Sequence, residues 1–157
     1  MKNRIFTLVI AVILVLCALN SCNIIFGDVD ESGDVTVVVE NSDGTYDIFA
    51  ANLESVENKK EGAKGILEHL SQRNDGLNLE MVDSTYGAYV TAVGNIKEDV
   101  ANKMYVIVYT SVSADSYEGA PTLNYNGVTL YQAGLGLSGM TVEEGTVILF
   151  RLEKSPY

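Results

Sequence analysis

Lys60-Glu61-Gly62-Ala63-Lys64-Gly65-Ile66-Leu67-Glu68-His69-Leu70-Ser71-Gln72-Arg73 is the one stretch of this chain that reads as a convincing helix. Ala63, Ile66, Leu67 and Leu70 recur at the i, i+3, i+4, i+7 spacing that lines one helical face. Gly62 and Gly65 each weaken a helix by about 1 kcal/mol relative to Ala, so this one depends on packing against another surface. Asn74-Asp75-Gly76 supplies the residues that end it.

Outward from the helix, the chain is written in strands. Val35-Thr36-Val37-Val38-Val39-Glu40 is a β-branched run, Asn41-Ser42-Asp43-Gly44 has turn chemistry, and Thr45 to Val56 resumes as a second strand, giving a hairpin. After the helix come Leu77 to Val82, Ala88 to Val93, and the strongest strand of all, Met104-Tyr105-Val106-Ile107-Val108-Tyr109-Thr110. Leu123 to Tyr131 contains Asn126-Gly127, a tight-turn signal, and Thr146 to Leu152 closes the domain. The order ββα followed by further strands predicts an α+β fold, with one helix at about 60–73 packed across a mostly antiparallel or mixed sheet.

The N-terminus carries Lys2 and Arg4 ahead of an apolar run from Ile5 to Leu19, the pattern of a secretory signal. Leu19-Asn20-Ser21-Cys22 resembles the lipobox of bacterial lipoproteins, in which the cysteine takes a diacylglycerol and becomes the new N-terminus. Cys17 is the weaker candidate, because bulky Leu16 precedes it inside the hydrophobic run. The expected organisation is a signal over 1–21, a lipidated Cys22 with an acidic tether over 22–33, one domain over 34–153 and a tail over 154–157. The expected location is extracytoplasmic, held at the cell membrane by lipid. One acyl chain gives only marginal binding at about 0.8 kcal/mol per buried methylene, so a stable anchor calls for more than one.

Removing residues 1–21 takes Lys2 and Arg4 away, leaving 8 basic against 21 acidic residues and a net charge of −13 over 136 residues. Such a chain has no clustered cations for nucleic-acid phosphates, so no nucleic-acid partner is expected. Cys17 leaves with the signal and Cys22 takes lipid, so no thiol remains for a disulfide or a zinc-thiolate site.

Nothing in the sequence points to catalysis. It holds no nucleophile elbow, P-loop, HExxH or dinucleotide-binding fingerprint. His69 is the only histidine and reads as a solvated or edge-of-core residue. Asp28-x-Asp30-x-Ser32-Gly33-Asp34 opens like a calcium loop, but Val39 stands at the twelfth position, where a bidentate Glu is needed. It reads as a solvated linker, Glu143-Glu144 reads as turn residues before Gly145, and neither a metal nor a cofactor is expected.

The tyrosines say more. Tyr46, Tyr86, Tyr89, Tyr105, Tyr109, Tyr117, Tyr125 and Tyr131 lie in the domain, which has no Trp. Tyrosine combines a large apolar face with a hydroxyl and little rotamer entropy to lose, a combination suited to binding surfaces. Tyr105 and Tyr109 point to the side opposite Val106 and Val108, so one face of that strand is a candidate tyrosine-lined surface.

The order of Val35–Glu40, Ala63-Lys64-Gly65-Ile66-Leu67, Tyr86-Gly87-Ala88-Tyr89-Val90-Thr91-Ala92-Val93, Met104–Tyr109 and Gly139-Met140-Thr141-Val142-Glu143-Glu144-Gly145-Thr146-Val147-Ile148 resembles bacterial domains similar to the transcobalamin C-terminal domain. The resemblance covers roughly Asp34 to Leu152. It implies a β-grasp-like fold and a soluble-ligand-binding role, with Tyr86, Gly87 and Tyr89 matching the family's Tyr-Gly segment and Tyr105 standing where many members carry Trp. The helical barrel that encloses the other face of cobalamin in transcobalamin is missing, so a tight corrinoid site within this chain alone is not expected. The function expected is non-catalytic binding of a small ligand, with a corrinoid as one possibility, or of a surface partner, through Tyr86, Gly87, Tyr89, Tyr105 and Tyr109. The alternative is an adaptor that docks another envelope protein through its sheet. A Cys22→Ala chain should lose its membrane association on fractionation; a variant that still sediments with membranes would overturn the anchor.

Overall fold

The computed structural model describes residues 33–73 and 77–155. Cys22, the acidic tether and the helix-ending Asn74-Asp75-Gly76 lie outside the described residues. Among the described residues, nine strands and one α-helix make an α+β fold: β1 Val35–Glu40, β2 Tyr46–Ala51, α1 Gly62–Ser71, β3 Leu79–Ser84, β4 Gly87–Val93, β5 Ile96–Lys97, β6 Met104–Thr110, β7 Thr122–Tyr125, β8 Val128–Gln132 and β9 Thr146–Lys154.

Six strands form one mixed sheet in the order β2-β1-β9-β6-β8-β7, and β3-β4-β5 form a second, smaller sheet. The first and last strands lie side by side in parallel, Val35 opposite Thr146 and Val39 opposite Phe150, while the other pairings are antiparallel. The expected single sheet is thus two. β3 and β4 pair with each other, and the short β5, which the sequence pattern does not reveal, extends them rather than the main sheet.

Period-two alternation sorts the main sheet into two apolar layers. Val35, Val37, Val39, Val106, Ile148 and Phe150 face α1 and the small sheet, where Ala63, Ile66, Leu67, Leu70, Val90 and Ile96 complete the larger core. Val38, Tyr109 and Leu149 face the other way and meet Leu130 of β8 in a second buried cluster. That cluster exists because the β7–β8 hairpin rolls over the sheet. Tyr125 of β7 reaches Tyr46 of β2, at the opposite end of the strand order, with ring centroids 5.3 Å apart in an edge-on contact. Asn126 and Gly127 have φ of 49° and 84°, the left-handed pair that a tight two-residue turn requires. Burial of Tyr125, and secondarily the negative charge that the neighbouring Tyr46 phenol takes on when ionised, pushes the Tyr125 phenol above its ordinary pKa.

The expected dependence of the helix on packing has a specific cause at Gly65. A Cβ there would stand 2.1 Å from the backbone oxygen of Asn58. The missing side chain lets the turn before the helix lie directly against it. Gly65→Ala trades a propensity gain of about 1 kcal/mol against an overpacking cost of about 1–3 kcal/mol. The clash is with backbone and cannot rotate away, so the variant should melt several degrees below the parent by circular dichroism. A higher Tm would show that the contact is soft.

Candidate ligand groove

β6 and β8 pair only at Tyr109–Gln132 and Thr110–Tyr131, at the C-terminal end of β6. Beyond that the hairpin diverges from β6, and the first half of the strand leaves an open groove of about 630 Å³ between them. Its walls are Tyr105, Ile107, Tyr117 and Pro121; Gln132, Glu153, Lys154 and Ser155 supply its polar groups. The volume lies within the range of about 300–1,000 Å³ usual for small-ligand pockets.

The register explains the lining. Tyr105 pairs with Glu153, Ile107 with Arg151 and Tyr109 with Leu149, so these side chains share one face. The Tyr109 hydroxyl donates to Glu153 Oε1 at 2.9 Å, and Arg151 Nε lies 3.3 Å from the same oxygen and 3.7 Å from Glu40 Oε2. The Tyr117 hydroxyl donates to Gln132 Oε1 at 3.2 Å, joining the loop before β7 to β8 across the groove. Glu153 is therefore held in position by a phenol and a guanidinium. Burial first, then the hydrogen bond to Glu153 and its negative charge, push the Tyr109 phenol up to about 12.

The five residues expected to bind ligand do not meet in one site. Tyr105 lines the groove. Tyr109 is only 4% exposed and packs beneath the hairpin, so it supports the groove through Glu153 rather than lining it. Tyr86, Gly87 and Tyr89 belong to the small sheet, on the other side of the main sheet. Tyr86 is 88% exposed at the β3–β4 turn, and Tyr89 pairs outward with Val82. Gly87 passes close beneath Gly136, where a Cβ would stand 3.2 Å from the Gly136 Cα.

Sequence reasoning overlooked Ile107, Pro121, Gln132, Glu153, Lys154 and Ser155 as groove residues. The available signal was the Arg151-x-Glu153 alternation in the closing strand, where charges on a strand otherwise apolar mark a face that water or ligand can reach.

A second concavity of about 300 Å³, lined by Ser111–Ala114 and Glu143–Thr146, lies at the opposite end of the main sheet. There Glu143 and Thr146 exchange hydrogen bonds across a turn, in keeping with the reading of Glu143-Glu144 as turn residues. His69 is half-buried on α1. Among the described residues, no three His, Cys, Asp or Glu side chains gather closely enough to hold a metal ion.

No protein-family model matches the sequence, and no curated protein matches it. Solved structures do share the fold. A Ruminococcus gnavus ATCC 29149 protein, provisionally described as metal binding, superposes with a TM-score of 0.53 at 15% identity, covering 79% of this chain and 99% of that one. Haptocorrin in complex with Cbi superposes with a TM-score of 0.51 at 16% identity over 85% of this chain, which spans only 28% of the haptocorrin chain. At these identities the likeness is one of α+β fold alone.

The raised Tyr109 pKa carries a sign. The neutral phenol is favoured in the folded state, so its contribution is complete below about pH 10, the ordinary tyrosine value. That contribution is lost as pH rises towards about 12, because the unfolded chain releases the proton first. Stability of the parent, measured by urea titration, should fall between pH 10 and 12 more steeply than that of Tyr109→Phe. Equal slopes would show that Tyr109 ionises as if exposed.

Proposed function

We propose that this protein is a lipid-anchored, extracytoplasmic binding domain that takes a small ligand in the groove between β6 and the β7–β8 hairpin and performs no chemistry on it. The observation that carries the reading is the groove itself: an aromatic and aliphatic wall from Tyr105, Ile107, Tyr117 and Pro121 facing a few convergent polar groups. Its one carboxylate, Glu153, is already engaged by Tyr109 and Arg151, which supports a binding role over acid–base work. The parallel pairing of first and last strands beside a hairpin, with one helix across the sheet, supports a β-grasp type of fold. The Cys22 motif supports attachment to a membrane. The haptocorrin structure holds Cbi, which makes corrinoids one ligand class to try. The chain corresponds to 28% of haptocorrin, so a corrinoid bound here would need cover from elsewhere to be held tightly.

A second reading rests on a different surface. Val82, Tyr86, Tyr89 and Leu135 are exposed on or beside the small sheet, an apolar array suited to an adaptor that docks another envelope protein. Thermal melting of the full chain in detergent micelles with cyanocobalamin, cobinamide, oligosaccharides and divalent cations separates the two. A ligand at 100 times its dissociation constant stabilises by about 2.7 kcal/mol. The groove reading expects such a rise with one of these compounds and its loss in Tyr117→Ala. No rise with any of these compounds, or a rise that survives Tyr117→Ala, would remove the groove from the account.

A further inference from the structure

The groove keeps unspent polar atoms of both kinds, donors and acceptors. Glu153 commits Oε1 to the Tyr109 hydroxyl at 2.9 Å and to Arg151 Nε at 3.3 Å, whereas its Oε2 has no partner among the described residues. Gln132 commits Oε1 to the Tyr117 hydroxyl at 3.2 Å, which leaves its amide protons to give. The Tyr105 hydroxyl makes no hydrogen bond among the described residues and can both give and accept. Charge, by contrast, is largely settled within the protein. Arg151 stands between Glu153 and Glu40, so the carboxylate of the groove already has a cation beside it. Lys154 borders the groove but pairs with Met104, one step out of phase with Tyr105 and Glu153, so its side chain rises from the opposite face of the sheet. Tyr105, Ile107, Tyr117 and Pro121 make the wall, and Tyr117 presents its ring to solvent at 48% exposure.

Building on the ligand-groove reading, we infer that the ligand is a neutral carbohydrate, a pyranose ring alone or within an oligosaccharide. Each sugar hydroxyl both gives and accepts a hydrogen bond, so a hydroxylated ring can satisfy Glu153 Oε2, the Gln132 amide and the Tyr105 hydroxyl with one kind of group. A pyranose is also two-sided. Its C–H face packs on the tyrosine rings as aliphatic surface does, and its hydroxyl rim meets the polar groups and the water of an open groove. Other ligand classes fit less well. A purely apolar ligand would cover Glu153 Oε2 and Gln132 Nε2 without pairing them, and a polar atom taken from water unpaired loses its hydration for nothing. An anion would meet a carboxylate and no lysine facing it. A cation would meet a carboxylate that already shares a guanidinium 3.3 Å away.

Saturation-transfer NMR detects weak binding through the sugar's own protons. The full chain should be held in micelles of a detergent without a sugar head group and offered cellotetraose, maltotetraose, mannotetraose and chitotetraose, with cobinamide and phenethylammonium beside them. At least one tetrasaccharide should bind, with saturation strongest on the C–H protons of one ring face. Tyr117→Ala, a change at an exposed position, should weaken that binding about tenfold or more. Glu153→Gln should weaken it about fivefold, and added salt should change little because the ligand carries no charge. Binding of cobinamide or phenethylammonium that is lost in Tyr117→Ala, with no response from any sugar, would overturn the carbohydrate inference and leave the groove standing. Binding of no probe, or sugar binding indifferent to Tyr117→Ala, would overturn both.

Discussion

The lateral pairing of β1 with β9 carries the rest of the molecule. Val35 to Val39 and Ile148 to Phe150 are the two most deeply buried strand segments, and they bury both of their faces. A strand apolar on both sides needs a cover on both sides, since an exposed layer of Val and Leu loses about 25 cal/mol for each Å² left in water. α1 and the small sheet cover one side and the rolled β7–β8 hairpin covers the other. The first and last of the described strands are thereby fastened together, so the sheet cannot form until β9 has been made. The contacts that matter most are also among the most distant in sequence.

Covering the second face with a hairpin rather than a helix leaves the groove behind. A hairpin has only its own width to offer. It shields Val38, Tyr109 and Leu149 where it crosses the sheet and leaves the Tyr105–Glu153 end open. The same limited β6–β8 pairing that lets the hairpin roll back far enough for Tyr125 to touch Tyr46 keeps it from closing over Tyr105. Cavity and core are two consequences of one bend.

Local signals were legible where the chemistry was local. The strand Met104–Thr110, the β1 run, the Asn126-Gly127 turn and the apolar face of α1 follow from periodicity and turn residues alone. The α+β order of pieces is shared at the level of fold with haptocorrin, at 16% identity. The separation into two sheets was not legible, because β3–β5 carry the same alternating pattern whichever sheet receives them. The fate of the tyrosines was hidden for a related reason. Tyr105 and Tyr109 occupy equivalent positions on one strand face, and only the roll of a hairpin encoded some 15–20 residues later decides that one is covered and the other open. Periodicity assigns a residue to a face of a strand, but what comes to lie on that face is settled by tertiary closure.

β9 runs from the turn that receives Asp34 to the polar end of the groove: Gly145 N donates to the Asp34 carbonyl at 2.7 Å, and Lys154 and Ser155 line the cavity. At about 3.3 Å per residue, the eight steps of this strand put roughly 26 Å between those points. Whatever precedes Gly33 therefore joins the domain at one pole, while the cavity opens near the other. A molecule approaching the Tyr105 end does not have to pass the point of attachment. The domain can be held from below without the hold obstructing its mouth, and the length of one strand sets that clearance whatever the leash before it is made of.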